Sequence, residues 1–238
     1  MATRLYVMPI SNAAAAGAAM LRHKRIPHRV VTLMPGFHPL LVRAAGFERH
    51  TVPALELDGR KVQGSRQIAR FLDQLEPYPP LFPRDPEERA RVEEAERWGE
   101  QTFQPVPRRL FRYLMLTQSS ARIWMGSEVM RLPGAAVIAR FFMPMIRRLA
   151  AISHADDARV RADIEHLPEL LDHVDDMIAD GTIGGAEPNA ADFQIATSIS
   201  LLLTMDDVRP QIEGRPAERL ARDVVPHQVG HLSSVYGR

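Results

Sequence analysis

Apolar and polar positions follow one periodicity in the first third of the chain and another in the rest. Residues 4–10 and 28–33 are short runs rich in β-branched and other apolar side chains, and they predict β-strands. The alanine-rich residues 13–25 between those runs predict a helix, with Ser11 or Asn12 capping its first turn. Strand and helix therefore alternate from the start, which is typical of a mixed α and β domain.

The segment around Pro53 and Ser65 completes this domain as a compact β-β-α unit. Because proline cannot donate a hydrogen bond to a sheet, Pro53 is expected at the start or edge of a strand. A turn at residues 58–59 leads into a second strand, and Ser65 lies where the N-cap of a helix is expected. With a short, irregular helix over residues 39–45, the order is β-α-β-α-β-β-α. This α+β arrangement with a mixed four-stranded sheet resembles a thioredoxin-like domain.

Prolines mark the end of that domain. Five of them lie between residues 77 and 86 and predict a stiff, extended linker, because proline is incompatible with a helix interior. The chain is therefore expected to contain a domain over residues 1–77, a linker over 78–86 and an all-α domain over 87–238 with an irregular tail. The first predicted helix of the second domain starts at residue 85, runs through Trp98 and is disturbed at Pro105 and Pro107. Further helices are predicted over 108–118, 133–151 and 157–179, and another starts at Asn189; His227 and His231 lie in the tail.

The helix start at Asn189 is the sharpest local signal in the second domain. Asn189 is placed at the N-cap and Asp192 at the third helical position, so each side chain can accept from a free backbone amide near the other. Pro188 and Phe193 have the spacing of a hydrophobic staple. This motif supports folding rather than chemistry.

Composition excludes several classes of function. The chain has 238 residues, a net charge of +1 and no cysteine. Disulfides, cysteine-zinc sites and protein-thiol nucleophiles are therefore excluded, and the near-neutral charge argues against a nucleic-acid partner. No signal peptide is recognisable, and Arg and Pro residues interrupt the most apolar stretch, residues 132–152, so no membrane partner is expected. A cytoplasmic protein follows as the default expectation.

Three motifs in order resemble the cytosolic glutathione S-transferases, in particular their bacterial and theta-like members. They are Val52-Pro53, Ser65 before the last helix of the first domain, and the capped helix with Asn189 and Asp192, and the similarity covers residues 4–205. The resemblance implies a homodimer that binds glutathione. It also implies a cis peptide bond before Pro53, a backbone pairing of Val52 with the cysteinyl part of glutathione, and a γ-glutamyl carboxylate held by Ser65.

Other residues are candidates for the same glutathione site. His38 resembles the histidine with which theta-like members contact the glycyl carboxylate, although a loop histidine without a specific role is the alternative. Arg66 could add positive charge for a carboxylate, or it could be an ordinary exposed helix arginine. Gly64 stands where many members have an acid that binds the γ-glutamyl amine, and Gln63 is the neighbouring candidate for that contact.

The catalytic candidates are Ser11 and, as the runner-up, Asn12, by resemblance to members that use a serine or an asparagine after the first strand. A free thiol with a pKa near 8.5 is only a few per cent ionised at neutral pH. Lowering that pKa by about two units requires roughly 2.7 kcal/mol of thiolate stabilisation, which a hydroxyl donor at a helix N-terminus can supply. Ser11 can equally be a plain N-cap. The aromatic and Met side chains that could line an electrophile site, or else the core or a dimer interface, are Phe103, Phe111, Tyr113, Trp124, Phe141 and Met143.

The resemblance leaves three functions open. The leading hypothesis is an enzyme that attaches glutathione, or another low-molecular-weight thiol, to a small hydrophobic electrophile. The alternatives are a non-catalytic protein-binding scaffold, favoured by Gly64, and a same-fold isomerase or dehalogenase that recycles glutathione. No metal site is expected, because Asp156 and Asp157 near His154 are more typical of a helix cap.

Overall fold

The structure is a computed structural model that describes residues 3–134 and 140–225 together with residues 232 and 235. The first part of the chain forms a four-stranded sheet of order β2-β1-β3-β4, in which β1 and β2 are parallel and the other pairs antiparallel. The predicted thioredoxin-like fold class is thereby confirmed. Its elements are β1 (Arg4–Val7), α1 (Asn12–His23), β2 (Arg29–Thr32), α2 (His38–Ala44), β3 (Ala54–Leu57), β4 (Arg60–Gln63) and α3 (Ser65–Leu75).

The sheet and its helices share a core built from the alternation of each strand. Leu5 pairs with Leu55 across β1 and β3, and both are fully buried. Their face packs against α1 and α3, which contribute Leu21 and Ile68, both without exposed surface. The period of two in the strands and the apolar stripe of the helices therefore meet at one layer boundary.

Local backbone geometry corrects two details of the sequence prediction. The first strand ends at Val7 rather than at residue 10. The N-cap of α3 is Gly64, with a φ of 94°, and Ser65 is the first helical residue instead of the cap. That left-handed conformation favours glycine, so an acid at this position would be strained.

The rest of the described chain is helical. Pro105 and Pro107 were expected to disturb the helix that runs through Trp98. They instead lie in the first turn of the following helix, Pro105–Thr117, a position that proline favours. Of the predicted helix 133–151, residues 140–141 and Met143–Ile152 are helical, with a turn at residue 142 between them, and residues 133–134 are a turn. Residues 135–139, and the predicted tail with His227 and His231, lie outside the described residues. The elements are α4 (Pro86–Trp98), a π-helical turn (Gly99–Phe103), α5 (Pro105–Thr117), α6 (Ser119–Trp124), a second π-helical turn (Met125–Val129), α7 (Met143–Ile152), α8 (Asp157–Ala179), α9 (Ala190–Leu202), a 3₁₀ turn (Arg209–Gln211) and α10 (Pro216–Val224).

Helix α9 is the centre of the helical part, and every one of its residues is buried. Asn189 and Asp192 form the predicted capping box at its start. The helix packs against α1 on one side and α4 and α10 on the others, so it joins the helical part to the sheet part. The exact domain boundaries at residues 77 and 87 stay a prediction. No helix in the described ranges combines the length and apolar character needed to cross a bilayer.

Candidate functional site

A cleft between the β1–α1 loop and the helical part is the best-formed candidate site. Its walls are residues 8–12, Pro35 before α2, one face of α5, the turn after α6 and the first half of α7. Its cavity volume is about 150 Å³, which is enough for at least one aromatic ring. Pro35 is followed by Gly36, where a Cβ would lie 2.7 Å from the sulfur of Met145 on α7, so the loop before α2 closes tightly on the cleft.

Ser11 lies on the wall of this cleft at the N-terminus of α1. Its Oγ accepts a hydrogen bond of 3.3 Å from the backbone amide of Ala14, so the residue caps the helix as predicted. A hydroxyl that accepts one bond keeps its own proton to donate. Ser11 can therefore cap α1 and offer a donor to a ligand in the cleft at the same time.

Asn12 lines the same cleft, but its side chain is engaged elsewhere. Only 4% of the residue is exposed, and its Nδ2 donates to Oγ of Ser198 at 3.1 Å and to the carbonyl of Gln104 at 3.5 Å. Its Oδ1 accepts from the amide of Ala13 at 3.1 Å. Asn12 thus connects α1 to α9 and to the start of α5, and both of its amide protons are directed at protein acceptors.

The residues around Pro53 form a loop organised by Gln63. The Val52–Pro53 peptide bond is cis. Nε2 of Gln63 donates to the carbonyls of Arg49 and Thr51 at 2.8 and 3.0 Å, and its Oε1 accepts from the amide of Arg49 at 2.8 Å. The side chain of Gln63 therefore fixes the backbone that leads into Val52, and that engagement occupies its polar atoms.

Ser65 and Arg66 are turned toward the helical part rather than toward the cleft. Oγ of Ser65, a residue only 2% exposed, donates to Oε1 of Gln194 on α9 at 2.9 Å. Arg66 pairs with Glu96 at 3.1 Å and with Glu100 at 3.5 Å. Within the described residues, neither side chain lines the cleft that holds Ser11.

Glu96 on α4 is a buried charge at the contact between α3 and α4. It is 1% exposed and accepts from Arg70 at 2.7 Å as well as from Arg66. Burial raises the pKa of the Glu96 carboxyl, and the hydrogen bonds and charges of the two arginines oppose that rise. These two ion pairs join α3 to α4. They also neutralise Arg66, which the sequence suggested as a contact for a glutathione carboxylate.

His38 begins α2, beside the cleft. Its Nδ1 is buried and has no hydrogen-bond partner among the described residues. Burial lowers the pKa of His38, and the nearby positive groups His50 and Arg112 lower it further. His38 is therefore a neutral imidazole at pH 7, close to Arg112 on the α5 wall of the cleft.

Sequence reasoning missed two arginines that give the cleft its charge. Arg108 and Arg112 line it from α5 together with Phe111 and Met115. Burial lowers the pKa of Arg108, and burial with the charge of Arg108 lowers the pKa of Arg112 to about 10, so both remain charged at pH 7. The sequence could have indicated this wall, because the spacing of Arg108, Phe111, Arg112 and Met115 places all four on one face of a helix.

The predicted lining residues divide between several environments. Phe111 lines the cleft, and Trp124 lines a neighbouring cavity between α1 and α9 that also reaches residues 8–12. Phe103 is fully buried in the core, and Phe141 is 81% exposed. The remaining two, Tyr113 and Met143, are not among the described residues that line either cavity. No group of three or more metal-ligating side chains occurs in the described ranges.

Comparison with known proteins agrees with this architecture. Residues 5–80 match the family model described as glutathione S-transferase, N-terminal domain. Poplar glutathione transferase F1 is similar over 96% of this chain and 94% of its own, with 17% identity and a TM-score of 0.67. A glutathione S-transferase from Rhodospirillum rubrum F11 is similar over 95% and 93%, with 21% identity and a TM-score of 0.61.

A third similar structure contains a ligand. It is a glutathione S-transferase from Methylobacterium radiotolerans in complex with glutathione sulfonate, with 18% identity over 100% of this chain and 99% of that one and a TM-score of 0.56. A search of curated proteins finds no match to the chain. Residues 5–80 therefore match the N-terminal domain of the glutathione S-transferases, and the chain has the glutathione S-transferase fold.

Proposed function

We propose that the protein activates glutathione, or a related low-molecular-weight thiol, and transfers it to a small apolar electrophile. The observation that carries the proposal is the position of Ser11, which offers a hydroxyl on the wall of an apolar cleft beside a domain of the glutathione S-transferase family. In this reaction the thiolate sulfur forms a bond to carbon. The leaving group departs with its electron pair, and the thiol proton passes to solvent.

In this proposal Ser11 stabilises the thiolate. A hydrogen bond to a charged acceptor contributes about 1.5–3 kcal/mol, which corresponds to a pKa lowered by roughly one to two units. The N-terminus of α1 adds a favourable dipole for an anion. Asn12 stays in the proposal only as a positioning residue, because its amide protons already bind Ser198 and Gln104.

The thiol is proposed to bind along the loop at Val52 and Pro53 and at the start of α3. The first amides of a helix have no acceptor within the helix and attract a carboxylate, so the backbone at Ser65 and Arg66 is the proposed γ-glutamyl site. Gln63 would hold the Val52 loop in shape, and His38 beside the cleft is the proposed contact of the glycyl carboxylate. The relative crystallised with glutathione sulfonate supports a ligand of this type. The family also leads us to propose a homodimer in the cytoplasm.

Glutathione should stabilise the protein against heat and support turnover. At a hundred times its Kd a ligand stabilises the folded state by about 2.7 kcal/mol, which raises the Tm of a chain of this size by roughly 5–10 °C. The measurement is a thermal shift titration with glutathione, followed by turnover of 1-chloro-2,4-dinitrobenzene. No thermal shift and no turnover at millimolar glutathione would remove this function.

Replacing Ser11 should separate its two roles. Ser11→Gly removes the hydroxyl but costs only a few tenths of a kcal/mol at an N-cap, whereas Ser11→Ala costs about 1 kcal/mol. We expect both variants to lower kcat/KM by about 10- to 100-fold, because both lose the donor to the thiolate. An unchanged rate in Ser11→Gly, with glutathione still bound, would assign Ser11 to helix capping alone.

The second candidate function is a protein-binding scaffold without catalysis. It is favoured by Gly64 and by the engagement of Ser65 with Gln194 and of Arg66 with Glu96, because these features leave few side chains for the γ-glutamyl group. Under this alternative the thermal shift with glutathione is absent and one protein partner purifies with the chain in fixed stoichiometry. A recycling isomerase or dehalogenase is distinguished by product analysis, since it consumes no net glutathione.

A further inference from the structure

We infer that the cleft selects an apolar electrophile that carries an anionic group, such as a carboxylate, and that Arg108 and Arg112 bind this anion. The inference rests on the proposed function for the reaction itself. It adds the chemical class of the second substrate, and it can be tested by binding alone, without any thiol.

The charges that line the cleft are all positive. Arg108, Arg112 and Arg122 contribute to its walls, and no described Asp or Glu does. The cleft therefore has a positive field inside an otherwise apolar surface, and low-dielectric walls strengthen such a field. A ligand with a negative group is attracted, and a cation is repelled.

Neither arginine of the α5 pair has a carboxylate partner among the described residues. Arg108 donates to Oε1 of Gln104, and Arg112 donates to Oγ of Ser153 at 2.8 Å and to the carbonyl of Leu149 at 3.3 Å. These acceptors are neutral. The charge of Glu100 acts on Arg108 without an ion pair, and it opposes the fall in the pKa of Arg108 that burial causes, whereas no carboxylate acts on Arg112 in this way. Both arginines are half-buried, and a partly desolvated charge without an ion-pair partner in a concave site is a candidate ligand contact.

The two arginines are also close to each other. They lie four residues apart on α5, which places them on the same face one turn apart, and the charge of Arg108 lowers the pKa of Arg112. Holding two like charges together costs free energy in the empty cleft. A single carboxylate between the two guanidinium groups removes that repulsion and can accept several charge-assisted hydrogen bonds.

The remaining wall is suited to the apolar body of such a ligand. Five of the eleven methionines of the chain line the cleft, together with Phe111. Methionine is flexible and polarisable, and it packs well against aromatic rings of varied shape. Because Ser11 lies on the same cleft, a ring whose carboxylate is bound at α5 extends toward the proposed thiolate position. The ligand class is therefore an aryl or alkyl carboxylate with a reactive centre away from the carboxylate.

The binding test compares a carboxylate with its neutral isostere. Calorimetry without glutathione would measure the Kd of 4-propylbenzoate and 4-propylbenzamide for the full chain. We expect the carboxylate to bind at least tenfold more tightly, because only it can pair with both guanidinium groups. Equal affinities, or tighter binding of the amide, would overturn the inference.

Matched variants assign the preference to the arginine pair. Arg108→Met and Arg112→Met should each weaken 4-propylbenzoate binding by about tenfold and leave 4-propylbenzamide unchanged. Arg147→Met is the control, because Arg147 is exposed on α7 and does not line the cleft. Circular dichroism and the Tm of each variant verify folding. A lower Tm is expected from the lost hydrogen bonds to Gln104, Ser153 and Leu149, so the two ligands are compared within each folded variant. A carboxylate preference that persists in the double variant would overturn the assignment.

Turnover distinguishes this inference from the proposed function. With glutathione present, 4-chloro-3,5-dinitrobenzoate should react with a higher kcat/KM than 4-chloro-3,5-dinitrobenzamide, and Arg108→Met should abolish the difference. Each reaction forms a carbon–sulfur bond and releases chloride. If both probes turn over with equal kcat/KM, the proposed thiol transfer stands and the inferred anion site at Arg108 and Arg112 is wrong. Competitive displacement of 4-propylbenzoate by glutathione would also overturn the inference, because the arginines would then hold a carboxylate of glutathione.

Discussion

Asp163→Ala should lower the free energy of unfolding by about 3–5 kcal/mol, the usual effect of removing one partner of a buried ion pair. Asp163 on α8 is 7% exposed and accepts two hydrogen bonds from Arg109 on α5, a residue that is 9% exposed. Arg109 also donates to the carbonyl of Ser153 at 3.2 Å. Without the carboxylate, a guanidinium charge remains buried beside the α5 wall of the cleft.

An exposed ion pair provides the matched control for this prediction. Glu93→Ala removes the partner of Arg89 on α4, where both side chains are largely exposed, and such pairs contribute less than about 1 kcal/mol. Urea unfolding followed by circular dichroism measures both variants. If Asp163→Ala cost no more than Glu93→Ala, the Arg109–Asp163 pair would not fix the position of α5.

Asp192→Ala should lower the free energy of unfolding by about 2–3 kcal/mol at pH 5, because two backbone amides lose their acceptor. Those amides are Gly184, at 2.6 Å from Oδ1, and Asn189, at 2.7 Å from Oδ2. Asn189→Ala, which removes the other half of the capping box, should cost about 1 kcal/mol. Equal losses in the two variants would mean that the bond from Gly184 adds nothing to the cap.

The same carboxyl group should make stability depend on pH. Burial raises the pKa of Asp192 to about 6, against the opposing hydrogen bonds from the amides of Asn189 and Gly184. The folded state therefore holds a proton that the unfolded state releases near pH 4, so stability should fall as the pH rises from about 4 to 6, by roughly 3 kcal/mol from this group. The difference in stability between the parent and Asp192→Asn isolates this effect. A parent that instead gains stability over that pH range relative to the variant would show that the amide bonds outweigh burial.

Several elements could be predicted because their causes are local. The helix start at Asn189 depends on side chains within three residues of one another, and the structure contains that capping box. The helix predicted over residues 157–179 has those bounds in α8, since Asp156 caps it from the adjacent position. The strands around Pro53 and the turn that follows also come from short-range backbone restrictions.

Other features could not be predicted because they depend on how distant segments pack. The partner of Ser65 is Gln194, 129 residues away, and the partner of Arg66 is Glu96 on another helix. A serine in the first turn of a helix can point its hydroxyl outward or inward, and only the packing of α9 against α3 selects the inward direction. The same reason applies to Asn12, whose amide binds Ser198 across the two parts of the fold.

The sequence by itself determined the family resemblance, the order of the elements, the absence of a protein thiol and the position of Ser11 at the start of α1. Tertiary structure alone decided which side chains share the cleft, because that choice depends on the approach of α5 and α7 to the β1–α1 loop. Packing then gave Arg108 and Arg112 their significance, since it places both half-buried guanidinium groups in one cleft without an ion-pair partner among the described residues, and partial desolvation favours an anion beside them.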